Sequence, residues 1–367
     1  MKRKEQSGKR ILILHWMDPM NPKSGGDVKY FHEMAKRLCH DNYSVTWISS
    51  KHSELPASEQ FDGFKIIRFG NIYTVFVYGF LYSLIKWKDY DIIVESISAI
   101  PFFAPRLRRK KIAMIHHIVD RATLKERIGF LFPVGYFLQN TLAPFLYKNE
   151  SVITNSLATA KEIIEMGYRK VSVVKTGIEL PSEEIGFAFK MNFIICPGPL
   201  RPWKRVDHVI RAFSCAAKDW KLFIFGDFLN CEYENTIRDL LNELDIEDRS
   251  EVLGHITDEE KNKLYSISKI CLIASKKEGW GLSAFEPQAY SCITVAYNVP
   301  GINESVIDGR TGILIKDGDL NSLCEAVSRL TNDQTVIEQL SKNCYQRVSD
   351  YSWNNCYSDF KQAIERL

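Results

Sequence analysis

The reading of the fold turns on KICLIAS, residues 269–275, and on EGWGLSAFE, residues 278–286, which carries two carboxylates, Glu278 and Glu286, eight positions apart. The apolar run reads as a strand, the glycines as a loop and the residues after them as a helix start. In such a unit Glu278 sits in the loop at the strand's carboxyl end and Glu286 about one turn into the helix, so both face one crevice. Carboxylates accept hydrogen bonds from hydroxyls and helix-start amides favour an anion, which suits a polyhydroxylated ligand with an anionic group. A capped helix with two solvated acids is the competing reading of the same residues.

Upstream, strand and helix signals alternate. ILILHW, YSVTWISS (43–50), FKIIRFG (64–70), DIIVES (91–96), KIAMIHH (111–117) and SVITNS (151–156) read as strands. Between the first two, Val28, Phe31, Met34, Ala35 and Leu38 recur at helical spacing. From 193 the alternation resumes with FIICPG, KLFIFGD, SEVLGHI, ICLIAS, CITVAYN and GILIKDGD as strands. Glycine, proline and acids gather at 176–192, which marks a junction. The expected fold is α/β, with two Rossmann-like domains facing each other across a cleft: 1–180, 190–348, and a helix over 349–367 packing back over the junction.

Ligands of such sheets lie beyond the strands' carboxyl ends. Gly25 and Gly26, before the first helix, let a backbone approach a phosphate, against a loop tip as the plain alternative. His116 and His117 close the KIAMI strand, where a histidine donates to a sugar hydroxyl or phosphate, against a satisfied structural histidine. Arg201, Lys204 and Arg205 lie in the loop after FIICPG, where cations and helix amides together hold a diphosphate. Asp317 to Asp319 read as a helix cap before LNSLCEAV, so no metal site is expected there.

Composition sets the bounds. With 367 residues, 45% hydrophobic and 25% charged, the chain has the make-up of a soluble two-domain protein. A net charge of +3 does not call for nucleic acid, although MKRK (1–4) and RLRRKK (106–111) are local basic clusters. Nine scattered cysteines without a CxxC pair suggest reduced thiols in a cytoplasmic protein. ILILHWM reads as a first strand rather than a signal peptide. The greasy stretches 72–87 and 128–147 are too short or too interrupted to span a bilayer. Helices packed on a sheet are their favoured reading, and a peripheral contact at the inner membrane face is the alternative.

The segment from SKKEGWGLSAFEPQ to GILIKDGD resembles the donor-binding region of family 4 glycosyltransferases, retaining enzymes of the GT-B architecture marked by Glu, seven residues, Glu. Gly25-Gly26, SVITNSLATAKEIIEMGY and VLGHITDEEKNKLYSIS extend the resemblance over most of the chain. It implies transfer of a sugar from a UDP- or GDP-linked donor, without a metal, to a glycan, lipid-linked or small-molecule acceptor. Glu286 would bind the nucleotide ribose and Glu278 the donor sugar's hydroxyls. The amides of Gly279, Trp280, Gly281 and Leu282 would lie against sugar and diphosphate, Lys204 would bind phosphate, and His116 or His117 would lie near the sugar. Where the family has Gly-Arg-Leu this chain has Gly198-Pro199-Leu200, so Arg201 either substitutes from next door or the site lacks one cation.

Two rivals stand beside this. GWGLSA fits a dinucleotide fingerprint, but the acid expected at the end of the next strand is replaced by Ala296, Tyr297 and Asn298. A catalytically degenerate binding protein is the other.

Overall fold

The computed structural model describes residues 8–22, 24–98, 100–104 and 110–367. MKRK and positions 106–109 of RLRRKK lie outside the described residues. The chain divides into two compact units: Met1–Gly177 with Trp353–Leu367, and Ile178–Ser352.

The first unit is built on a sheet of strands β1 (Arg10–Leu14), β2 (Ser44–Ser49), β3 (Ser58–Phe61), β4 (Phe64–Arg68), β5 (Ile92–Ser96), β6 (Lys110–Met114), β7 (Ser151–Thr154) and β8 (Lys170–Val173). Their order is β3-β4-β2-β1-β5-β6-β7-β8, parallel except for the β3–β4 pair. Alternate residues of each strand face opposite layers. Ile11, Ile13, Val94, Ile112 and Ile153 pack against the helix Gly26–His40, which buries Val28, Phe31, Met34, Ala35 and Leu38 as its spacing predicts. The helix Trp353–Glu365 adds Trp353, Cys356, Phe360 and Ile364 to that core. On the other face Leu12, Leu14, Ile48 and Ile93 meet Val75 of the helix Val75–Lys86, and Ala113, Ile115 and Val152 meet Tyr147. Two strands escape the sequence reading. β3 (SEQF) and β8 (KVSV) are exposed edge strands with few apolar residues, so the tertiary sheet rather than local pattern recruits them.

The second unit carries β9 (Met191–Pro197), β10 (Lys221–Phe225), β11 (Ser250–Gly254), β12 (Ser268–Ile273), β13 (Ile293–Asn298) and β14 (Gly312–Lys316). All pairs are parallel, in the order β11-β10-β9-β12-β13-β14. β12 (SKICLI) is buried along its whole length, as expected of a central strand covered on both faces. The chain winds outward from β9 through β10 to β11, then crosses to β12 and winds the other way. That reversal creates a crevice at the carboxyl ends of β9 and β12, the place where open α/β sheets take ligands.

Candidate functional site

The loops leaving β9 and β12 meet at that reversal. After β9 the chain is held by hydrogen bonds from Gly198 N to Phe225 O (3.1 Å) and from Leu200 N to Asp227 O (2.8 Å). It then makes a short 3-10 turn, Pro202–Lys204, and enters the helix Val206–Ser214 through Arg205 in a left-handed conformation (φ 50°). Lys276 N donates to Trp203 O at 2.9 Å, tying the second loop to the first. The result is that Lys204 Nζ lies 2.5 Å from Glu278 Oε1, with both side chains largely but not wholly withdrawn from solvent. Sequence reading placed both residues at a ligand site; their pairing is a product of the fold.

Glu278 is fixed from behind as well. Its N–H donates to Pro300 O at 3.2 Å. The next residue, Gly301, has φ +86°, and a Cβ there would lie 2.3 Å from the Glu278 carbonyl oxygen. Only glycine permits that approach. Gly279 and Gly281 flank Trp280, whose buried ring packs edge-on to Phe285 (5.6 Å) and stacks on Tyr351 (5.9 Å). Leu282 opens a helix of only four residues, Leu282–Phe285, which tightens into a 3-10 segment, Glu286–Tyr290. Glu286 is therefore one turn past the glycines, and the dipole of so short a helix contributes little there.

Glu286 has two partners that the sequence did not reveal, both from the helix Asp258–Ile267. Lys261 Nζ lies 3.5 Å from its Oε2, and the Tyr265 hydroxyl donates to the same oxygen at 3.4 Å. Burial first, and then the Glu286 charge, pushes the Tyr265 phenol well above its ordinary pKa. Burial lowers the Lys261 pKa, but Glu286 and Asp258 outweigh it, so the amine is held charged. Nothing in local spacing relates Lys261 to Glu286; packing of the helix Asp258–Ile267 against the 3-10 segment Glu286–Tyr290 brings them together.

The cations divide their roles. Arg201 Nη1 donates to the carbonyls of Leu200 (3.2 Å) and Asp227 (2.8 Å), which ties the loop after β9 to the loop after β10. Arg205 pairs with Asp317 at 2.6 Å and lies over the Tyr297 ring. Asp319 caps the helix Leu320–Asn332 by accepting from Ser322 N, as its sequence predicts. Among the described residues no cluster of three or more His, Cys, Asp or Glu has metal-binding geometry.

In the first unit Gly25 is the N-cap of the helix that Gly26 begins, beside a small polar cluster. His15, just beyond β1, and His116, just beyond β6, both pack on Phe31 (5.2 and 5.9 Å). Asp27 Oδ2 lies 3.5 Å from His15 Nε2. Burial opposes ionisation of Asp27, but its interaction with His15 outweighs this and holds its carboxyl well below the ordinary value. Burial lowers the His116 pKa from 6.5 to about 4 although Asp27 opposes this, so the ring is a neutral donor or acceptor at pH 7. Asn155 Nδ2 is 3.4 Å from His116 Nδ1, and His116 Nε2 has no hydrogen-bond partner among the described residues. His117 is half-buried. His15 and Asp27 were missed; a histidine at the carboxyl end of a second parallel strand was the available signal.

Two Rossmann-like units, with Lys204 paired to Glu278 where the strand order of the second unit reverses, fit the class of nucleotide-sugar-dependent transferases. Family models agree: residues 24–181 match Glycosyltransferase Family 4 and residues 178–347 match Glycosyl transferases group 1. The chain belongs to this family of glycosyltransferases, which transfer a sugar from a nucleotide sugar. An uncharacterized glycosyltransferase of Methanocaldococcus jannaschii is 25% identical over 94% of this chain and 96% of its own length. Sucrose-phosphate synthase from Thermosynechococcus elongatus superposes with a TM-score of 0.79 at 17% identity, over 98% of this chain and 99% of that one. The Anabaena protein HepE, solved with UDP-glucose, superposes at 0.73 and 17% identity, over 98% of this chain and all of its own. These neighbours establish the GT-B fold.

Proposed function

We propose that the protein is a retaining, metal-independent hexosyltransferase that takes its sugar from a UDP- or GDP-linked donor. The observation that carries this is the Lys204–Glu278 pair, 2.5 Å apart at the β9–β12 reversal. Departure of a nucleoside diphosphate builds negative charge on phosphate oxygens, and a positioned lysine stabilises it. Glu278 accepts from the sugar's hydroxyls and thereby sets the anomeric carbon, while Glu286, steadied by Lys261 and Tyr265, accepts from the ribose. The amides of Gly279 to Leu282 lie along the sugar and diphosphate. His116, neutral at pH 7, serves as a hydrogen-bond partner in the acceptor-side unit, with His117 as the alternative. The acceptor is a glycan, a lipid-linked sugar or a small molecule, and the protein works in the cytoplasm.

UDP-glucose, which the Anabaena neighbour binds, is the first donor to try. Thermal shift against a panel of UDP- and GDP-sugars, followed by nucleotide release with an acceptor array, tests the reading. Stabilisation by one nucleotide that is lost in Glu286→Ala supports it. Stabilisation by NAD(P)H alone overturns it. The Arg201 hydrogen bonds to the backbone carbonyls of Leu200 and Asp227 favour a second reading, a binding protein short of one phosphate cation; binding without turnover on any donor and acceptor pair selects that one.

A further inference from the structure

The cysteines are scattered in sequence, but the fold brings two of them together in the second unit. Cys215 is the C-cap of the helix Val206–Ser214, and Cys324 lies one turn into the helix Leu320–Asn332, which packs along it. Both sulfurs lie 3.7 Å from one atom, the carbonyl oxygen of Arg211, so they are at most twice that distance apart. Ser214 Oγ donates to the same oxygen at 2.7 Å. A carbonyl oxygen has two lone pairs, so three donors exceed what it accepts and one thiol is left over. Burial first, and then a hydrogen bond with the Cys215 thiol, pushes the Cys324 thiol up to about 12, so at pH 7 it keeps its proton.

Access separates this pair from the other thiols. Cys196, Cys271, Cys292, Cys344 and Cys356 are buried, Cys39 is half-buried, and Cys231 is exposed at the start of another helix, Cys231–Glu243. Cys215 is exposed and Cys324 is partly so. An oxidant in solution therefore meets Cys215 first, with Cys324 behind it.

We propose that Cys215 and Cys324 are a redox-sensitive pair, which hydrogen peroxide converts to a disulfide that ties the helix Val206–Ser214 to the helix Leu320–Asn332. The Cys215 sulfur attacks one peroxide oxygen, the O–O bond breaks, water leaves with the Cys215 proton, and Cys215 becomes a sulfenic acid. The Cys324 sulfur then attacks the Cys215 sulfur, the S–OH bond breaks, and hydroxide leaves with the Cys324 proton as a second water. The two thiols lose two electrons and the peroxide gains them. At their amino-terminal ends the same helices are joined by Arg205 and Asp317, 2.6 Å apart. Arg205 follows Lys204 directly, so the disulfide braces from behind the loop that holds Lys204. It also encloses β10 to β14 in one covalent loop, which restricts the unfolded chain. The inference rests on the second unit alone and is independent of the proposed reaction.

Peptide mapping of the full chain after treatment with hydrogen peroxide tests it. A peptide joining Cys215 to Cys324 is expected, lighter than its two reduced parts by two hydrogens and reopened by dithiothreitol. Titration of the unfolded chain should find two of the nine thiols lost. The thermal midpoint should rise by about 5–10 °C and return on reduction. In Cys324→Ser the crosslink is lost and Cys215 stays as the sulfenic acid, so labelling by dimedone should exceed that of wild type at least about fivefold. Cys215→Ser should leave Cys324 reduced at peroxide concentrations that consume the wild-type pair. Reduced midpoints close to that of wild type confirm that the variants are folded, and the wild-type map decides the pairing without them. Absence of the joined peptide, a Cys215 crosslink to Cys231 or to a second chain, or equal dimedone labelling in wild type and Cys324→Ser overturns the inference. A crosslinked chain that melts below the reduced one overturns the brace.

Discussion

Lys204 Nζ lies 2.5 Å from Glu278 Oε1, although 74 positions separate them. The pair joins the loop after β9 to the loop after β12, so the groups proposed to meet phosphate and sugar are positioned by each other. Glu278→Gln keeps the shape and removes the charge. Turnover should fall by about 100-fold, while affinity for the nucleoside diphosphate holds or tightens because Lys204 is released. Lys204→Ala should weaken that affinity by roughly 10- to 100-fold, the worth of a charge-assisted hydrogen bond. Titration calorimetry with UDP and GDP beside initial rates checks both; wild-type turnover in Glu278→Gln would remove this residue from the site.

Gly301 is the second support of Glu278. Gly301→Ala combines a left-handed backbone with a Cβ 2.3 Å from the Glu278 carbonyl oxygen, a cost of about 1–3 kcal/mol that moving the loop would partly relieve. Turnover should drop sharply with the fold retained. Gly309→Ala is the control, since φ is +67° but nothing lies within 4 Å of the added carbon. It should lower Tm by a few degrees and leave kcat alone; equal loss of activity in the two variants would assign the effect to general destabilisation.

His116 makes the first unit acid-sensitive. Its pKa is about 4 in the folded chain against 6.5 as the ordinary value, so between these pH values the unfolded chain binds a proton that the native one does not. The stability this provides is complete above pH 6.5 and is lost as pH falls toward 4, about 2 kcal/mol of it between pH 7 and pH 5. Urea denaturation of wild type and His116→Asn at the two pH values should show the smaller pH difference in the variant.

Asp18 and Arg68 are both almost fully buried, with Arg68 Nε 2.7 Å from Asp18 Oδ2 and Nη2 2.8 Å from Oδ1. Arg68→Met leaves the carboxylate with Ser49 Oγ and Met20 N but without its cation. The first unit should lose about 3–5 kcal/mol, and adding Asp18→Asn should recover part of it, since the penalty comes from an unpaired buried charge. Denaturant midpoints of the two variants decide this.

The sequence by itself determined the parallel architecture of both units, because strands such as ILIL and ICLI are apolar on both faces and alternate with amphipathic helices. It also placed Glu278, Lys204, Gly25 and His116 at the carboxyl ends of strands, since loop position follows from strand direction. The edge strands SEQF and KVSV were not legible, because an edge exposes one side to water and loses the apolar signal. Only the tertiary structure decided which of these residues meet. The order β9-β12 puts Lys204 on Glu278, helix packing puts Lys261 on Glu286, and the order β1-β5-β6, with Phe31 above it, gathers His15, Asp27 and His116. Strand order is a long-range property: each strand's local sequence satisfies any neighbour that buries it, and the assembled sheet alone selects one.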